Sequence, residues 1–151
     1  MVYTTGIEVT NHTVELATFY IGDALCGMDI LKVQEINKHM EITQVPQAPE
    51  FVLGVLNLRG RIVTIIDLSK KLGLSHTTLT RETRNIIVNL QNDYVGLLVD
   101  KIGDVVIADW EKVESPPANI GEIQGKYFEG VLKTEHSLIG ILNVEEVLRE
   151  D

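Results

Sequence analysis

Short runs rich in Val, Ile, Leu and Thr recur along the whole chain, and twelve glycines break them at brief intervals. That pattern predicts many short strands joined by turns. Residues 14–21 read as a strand, Gly22-Asp23 as a turn, and 24–30 as the returning strand. A further strand is expected over 31–36, and another over 42–45, ending at Pro46. Pro46 and Pro49 bracket a turn that leads into a short helix at 50–53. Two apolar strands, 54–58 and 61–66, follow. Asp67 is then placed to cap a helix over 68–72, and Gly73 to stop it. Residues 75–83, SHTTLTRET, read as an exposed connection. RNIIVNLQ and YVGLLVD flank the hairpin signal Asn92-Asp93. A strand over 104–110, a long surface loop over 114–126 and two strands paired around Thr134-Glu135-His136 come next. Asn143 caps a final helix.

About ten strands of ordinary length result. Several are apolar on both faces, as at Ile62, Val63, Ile65 and Ile66. Small barrels account for this, because one face fills the interior and the other packs under a helix or a second barrel. The expected fold is therefore all-β, two packed five-stranded barrels with short helices, including a C-terminal one. The Thr-rich connection divides it into a first unit over 14–82 and a second over 83–151, with strand exchange and chain ends crossing between them.

Composition narrows the function. Lys and Arg number 13 against 22 Asp and Glu, a formal charge of −9, which disfavours nucleic acid and anionic membrane as main partners. Cys26 is the only cysteine and reads as a small buried hydrophobe in a reducing compartment. The N-terminus has no secretory pattern, and no apolar run approaches a membrane span, so a cytoplasmic protein without membrane insertion is expected. His12, His39, His76 and His136 lack metal-ligand spacing, and no nucleophile or phosphate-loop motif is present. Neither an enzyme nor a cofactor is expected. Asp100, Asp104 and Asp109 read as turn and cap residues.

Protein recognition is what remains. In GVLNLRGRIVTIIDL, residues 54–68, Gly60 reads as the hairpin turn between Arg59 and Arg61, and Gly54 as a point of close backbone approach. Arg59 needs a partner if it lies in a groove, and Glu35 is the best candidate. Solvated surface charges are the alternative.

Four ordered segments carry a resemblance: MDILKVQEI (28–36), GVLNLRGRIVTIIDL (54–68), VGLLVDKIGDVV (95–106) and EGVLKTEHSLIGILNVEEVL (129–148). They resemble the CheW-type chemotaxis coupling family over about residues 14–149. The resemblance implies two packed SH3-like barrels and a non-catalytic adaptor. It also implies two partners, the regulatory domain of the histidine kinase CheA and the cytoplasmic tip of methyl-accepting chemoreceptors, met in receptor arrays at the membrane. Position by position, it implies that Ile30, Val33, Gly54, Ile102 and Val105 wall the receptor groove, with Glu35 and Arg59 as a charged pair beside it. Ile42 and Val45 fall where the kinase docks. Core packing is the competing reading for Val33, Ile102 and Val105. The loop Pro116-Pro117-Ala118-Asn119-Ile120 lacks the exposed aromatic that family members often use for a second kinase contact, and no role is assigned to Arg61. An adaptor for twitching or gliding motility is the nearest alternative. A small-molecule-binding barrel would need convergent polar groups, and an oligonucleotide-binding barrel would need basic and aromatic strand faces.

Overall fold

The computed structural model describes residues 2–4, 7–9 and 12–149. Within them a short antiparallel hairpin, β1 (Val2–Thr4) with β2 (Ile7–Val9), precedes β3 (Thr13–Ile21) and β4 (Ala24–Asp29). Then come β5 (Val33–Asn37), β6 (Val52–Leu58), β7 (Arg61–Asp67), helix α1 (Leu68–Lys71), β8 (Arg84–Leu90) and β9 (Asp93–Val99). The last part holds β10 (Lys101–Asp109), β11 (Asn119–Ile120), β12 (Ile123–Gln124), β13 (Phe128–Lys133), β14 (Leu138–Leu142) and α2 (Val144–Val147).

Ten of these strands form two five-stranded sheets, ordered β10-β3-β4-β14-β13 and β5-β8-β9-β7-β6. The two have the same wiring. Each centres on an antiparallel hairpin, β3–β4 or β8–β9. The hairpin's second strand pairs in parallel with β14 or β7, the strand that feeds a short capped helix. An outer strand, β13 or β6, completes that side, and an isolated bridge covers it, Glu114 with Val131 or Thr43 with Val55.

The sheets divide the chain differently from the expected boundary at 82/83. One sheet is continuous, drawn from residues 33–99. The other is split, drawn from 13–29 and 101–142. Residues 75–83 lie inside the continuous sheet's sequence, because β7 and β5 pair with β9 and β8 across them. This strap is held down rather than free. The buried Asp67 carboxylate accepts from Thr77 N–H at 2.9 Å and Thr77 Oγ1 at 2.7 Å, while it also caps α1 at Lys70 N–H.

Alternation along the strands builds three apolar clusters. In β8 and β9, Ile86, Val88, Leu97 and Val99 face a core shared with Phe19, Ile21, Cys26, Met28 and Leu142 of the split sheet. The residues between them, Ile87 and Leu98, face the continuous sheet's own interior with Leu56, Val63 and Ile65. Val14, Leu16, Ala108, Leu132, Ile139 and Ile141 fill the split sheet. Strands apolar on both faces are thus the cost of packing two barrels together. Ile62 is the exception and stands mostly in solvent.

Three local expectations fail. Residues 42–45 make no strand; Thr43 alone pairs, exchanging two 2.8 Å bonds with Val55. Residues 50–53 make no helix, because Val52 N–H turns back to Pro49 O and Val52 then joins β6 opposite Ile66. The 114–126 loop carries the small β11–β12 hairpin.

Candidate functional site

The turn between β6 and β7 is two residues long, Arg59 and Gly60, with φ of 52° and 83°. Both are left-handed, as a twisted hairpin of this length requires. The Asn57 carboxamide oxygen accepts from Gly60 N–H at 2.9 Å and fixes the turn. Arg59 therefore points off a rigid support, and its guanidinium donates to the Glu35 carboxylate. Asn37 Nδ2 donates to the other Glu35 oxygen at 3.1 Å. The Arg59 bond, then the Asn37 bond, hold the Glu35 carboxyl below its usual range. Glu35 lies on β5 and Arg59 follows β6, the two edge strands of the continuous sheet. Their ion pair therefore ties one edge of the barrel to the turn leaving the other. Arg61 has a role of its own: its guanidinium lies 4.0 Å from the centroid of the Tyr94 ring.

The outer strands β5 and β10 occupy the same place in the two sheets, and each is bulged. The register slips between Val33 and Glu35 in β5, and between Ile102 and Val105 in β10. Four of the residues singled out in the sequence therefore flank two equivalent bulges. Val33 and Ile102 are half-buried and pack on the shared core. Val105 is 55% exposed. Ile30 is half-buried in the short 3₁₀ turn Ile30–Lys32, which Asp29 caps at Leu31 N–H.

Gly54 stands apart from these. It is buried, its φ is +146°, and a Cβ there would sit 2.1 Å from Thr43 O and 2.9 Å from Ile42 Cγ2. It supplies a close approach rather than a surface. Residues expected in two separate sites, Gly54 and Ile42, thus meet in one local cluster. Ile42 is half-buried against the continuous sheet's interior, and Val45 is exposed beyond the Thr43 bridge.

Two features escaped the sequence reading. Leu31 is 89% exposed beside Ile30, in the 3₁₀ turn that precedes β5, where a strand over 31–36 was expected. Thr18 is buried in β3 opposite the β10 bulge; the signal was a hydroxyl between the apolar Ala17 and Phe19.

Among the described residues no three His, Cys, Asp or Glu side chains group as metal ligands. Burial pushes the Cys26 thiol up to about 12, so it stays protonated and packs as a hydrophobe. His76 Nδ1 lies 3.3 Å from Asp67 and its Nε2 3.6 Å from Glu50, but the nearby hydroxyl, Thr77, is committed to Asp67. That cluster secures the strap. No helix among the described residues is long and apolar enough to cross a membrane.

Comparison with known proteins agrees with this fold. The CheW-like domain matches residues 15–151. The chain is 33% identical over 145 residues to the chemotaxis protein CheW of Treponema pallidum, covering 93% of this chain and 85% of that one. It is 32% identical over 140 residues to CheW of Rhizobium meliloti, covering 93% and 90%. The crystal structure of the scaffolding protein TtCheW from Thermoanaerobacter tengcongensis superposes with a TM-score of 0.83 at 33% identity, covering 91% of this chain and 94% of that one. With the same two-sheet fold and a match across nearly its whole length, this chain belongs to the CheW-like domain family.

Proposed function

We propose that the chain is a non-catalytic adaptor that couples transmembrane chemoreceptors to the histidine kinase CheA in bacterial chemotaxis. One observation carries the reading. The two equivalent outer strands, β5 and β10, are bulged at the same place, and the apolar residues flanking those bulges, Val33, Ile102 and Val105, are half-buried or exposed, with the Glu35–Arg59 pair beside them. Bulges re-aim side chains and gather at functional edges. An amphipathic receptor helix fits such a junction, its apolar stripe against Ile30, Val33, Ile102 and Val105 and a polar flank against the Glu35–Arg59 pair. Gly54 acts indirectly, by seating the 42–45 segment. The kinase's regulatory domain meets that segment at Ile42 and Val45, and the chain joins receptor arrays through these contacts.

The test is reconstitution of the protein with chemoreceptor-containing membranes and the CheA of the same organism, following autophosphorylation. Activation that depends on this protein is the expected result. Absence of activation together with absence of kinase binding overturns the reading.

A further inference from the structure

We propose that Thr18 is the positioning residue that decides which valine of the Val105-Val106 pair faces out of β10, and so sets the receptor-side surface. This rests on the coupling role proposed above. The pairing of β10 with β3 fixes the geometry. Ile102 lies opposite Phe19 and Val105 opposite Ala17, so two residues, Gly103 and Asp104, stand against the single residue Thr18. Without the extra residue the register of Ile102 with Phe19 would continue and set Val105 opposite Leu16. Leu16 faces the split sheet's interior. Val105 would then point inward and Val106 outward, since a one-residue slip exchanges the faces of a strand. With the bulge, Val106 lies opposite Leu16 and packs against that interior, and Val105 is left 55% exposed.

Thr18 is built to hold this bulge. It is 2% exposed, and its hydroxyl donates to the Asp104 carbonyl, the backbone group of the extra residue. The same oxygen lies 2.5 Å from where a Cβ on Gly103 would stand, so the glycine makes the room that the hydroxyl uses. An apolar isostere at position 18 would remove the hydrogen bond that ties the extra residue to β3. Nothing in the apolar character of VVIA distinguishes the two outcomes.

The experiment compares Thr18→Val, which keeps the shape, with Thr18→Ser, which keeps the hydroxyl. Backbone amide exchange across 102–107 is read by NMR. Binding is measured to a soluble cytoplasmic fragment of a chemoreceptor and, separately, to the CheA regulatory domain. For Thr18→Val, exchange is expected to rise at 102–107 but not in β8 and β9, and fragment affinity to fall about tenfold. Kinase-domain affinity is expected to hold, and Thr18→Ser to restore both readouts. Unchanged exchange in Thr18→Val overturns the positioning role. So does altered exchange with unchanged fragment affinity, or equal loss toward both partners. If the wild-type protein fails to bind the fragment, the coupling role itself is overturned, while the exchange data still judge the bulge.

Discussion

The continuous and split sheets share one wiring but differ in how the chain supplies it. The continuous sheet takes its strands from one run of sequence, 33–99. The split sheet borrows its central hairpin, β3–β4, from the N-terminal part and its remaining strands from residues 101–142. Read cyclically, the order of elements is the same in both: bulged outer strand, bridge, outer hairpin, capped helix, central hairpin. The local devices are repeated too. Gly54 and Gly130 each follow a register slip and each pass under a backbone carbonyl, Thr43 O or Glu114 O. Asp67 and Asn143 each cap the helix that follows. The lesson is that one wiring can be stabilised to different degrees at equivalent points. The continuous sheet has the tighter glycine, the more heavily bonded cap and an ion pair across its edges.

The largest expected difference is at the glycines. Gly54→Ala meets a backbone carbonyl at 2.1 Å in a left-handed conformation, and is expected to cost about 3–4 kcal/mol. Gly130→Ala meets Glu114 O at 2.8 Å and the movable Val113 side chain at 2.5 Å, and is expected to cost about half as much. Urea titration of both variants checks the order, and an equal or reversed order would break the comparison. The caps come next. Asp67→Ala strands the Thr77 donors in a buried setting and is expected to cost about 2–3 kcal/mol, whereas Asn143→Ala removes one cap bond and costs about 1 kcal/mol. The same titrations measure this.

The edge pair is a smaller matter for the fold. Arg59 is 72% exposed, so Arg59→Ala is expected to change stability by less than about 0.5 kcal/mol. Receptor-fragment affinity is expected to fall several-fold, read by titration calorimetry; no loss of affinity would remove the pair from the docking surface. The smallest effect is in pH. The Glu35 carboxyl is held below its usual range, so the pair's contribution is full at neutral pH and fades only as pH falls through that lowered value. In Arg59→Ala the Glu35 titration is expected to move up toward the ordinary range, as NMR of the side-chain carboxyl would register. A titration unmoved by the substitution would show that Asn37 alone holds it down.

Much of this was written locally. β3, β4, β6, β7, β8, β9, β13 and β14 follow from apolar runs between turn residues, and both helix caps follow from Asp67 and Asn143 at the end of such runs. The candidate pair Glu35–Arg59 was visible because a charge in an apolar context needs a partner. The 42–45 segment misled because ITQV has strand composition, yet β6 offers it only one bridging residue. Residues 50–53 misled in the opposite direction, because pairing with Ile66 outweighed a weak helical preference.

The sequence by itself determined the strands, turns, caps and the need for two apolar faces, because each depends on residues near one another in the chain. Tertiary structure decided which strands share a sheet, that Gly54 is a contact point under Thr43, and that Val105 faces out while Val106 faces in. The last of these depends on register between strands more than 80 residues apart, as between Thr18 and Asp104. A one-residue bulge there leaves the composition unchanged and reverses the face.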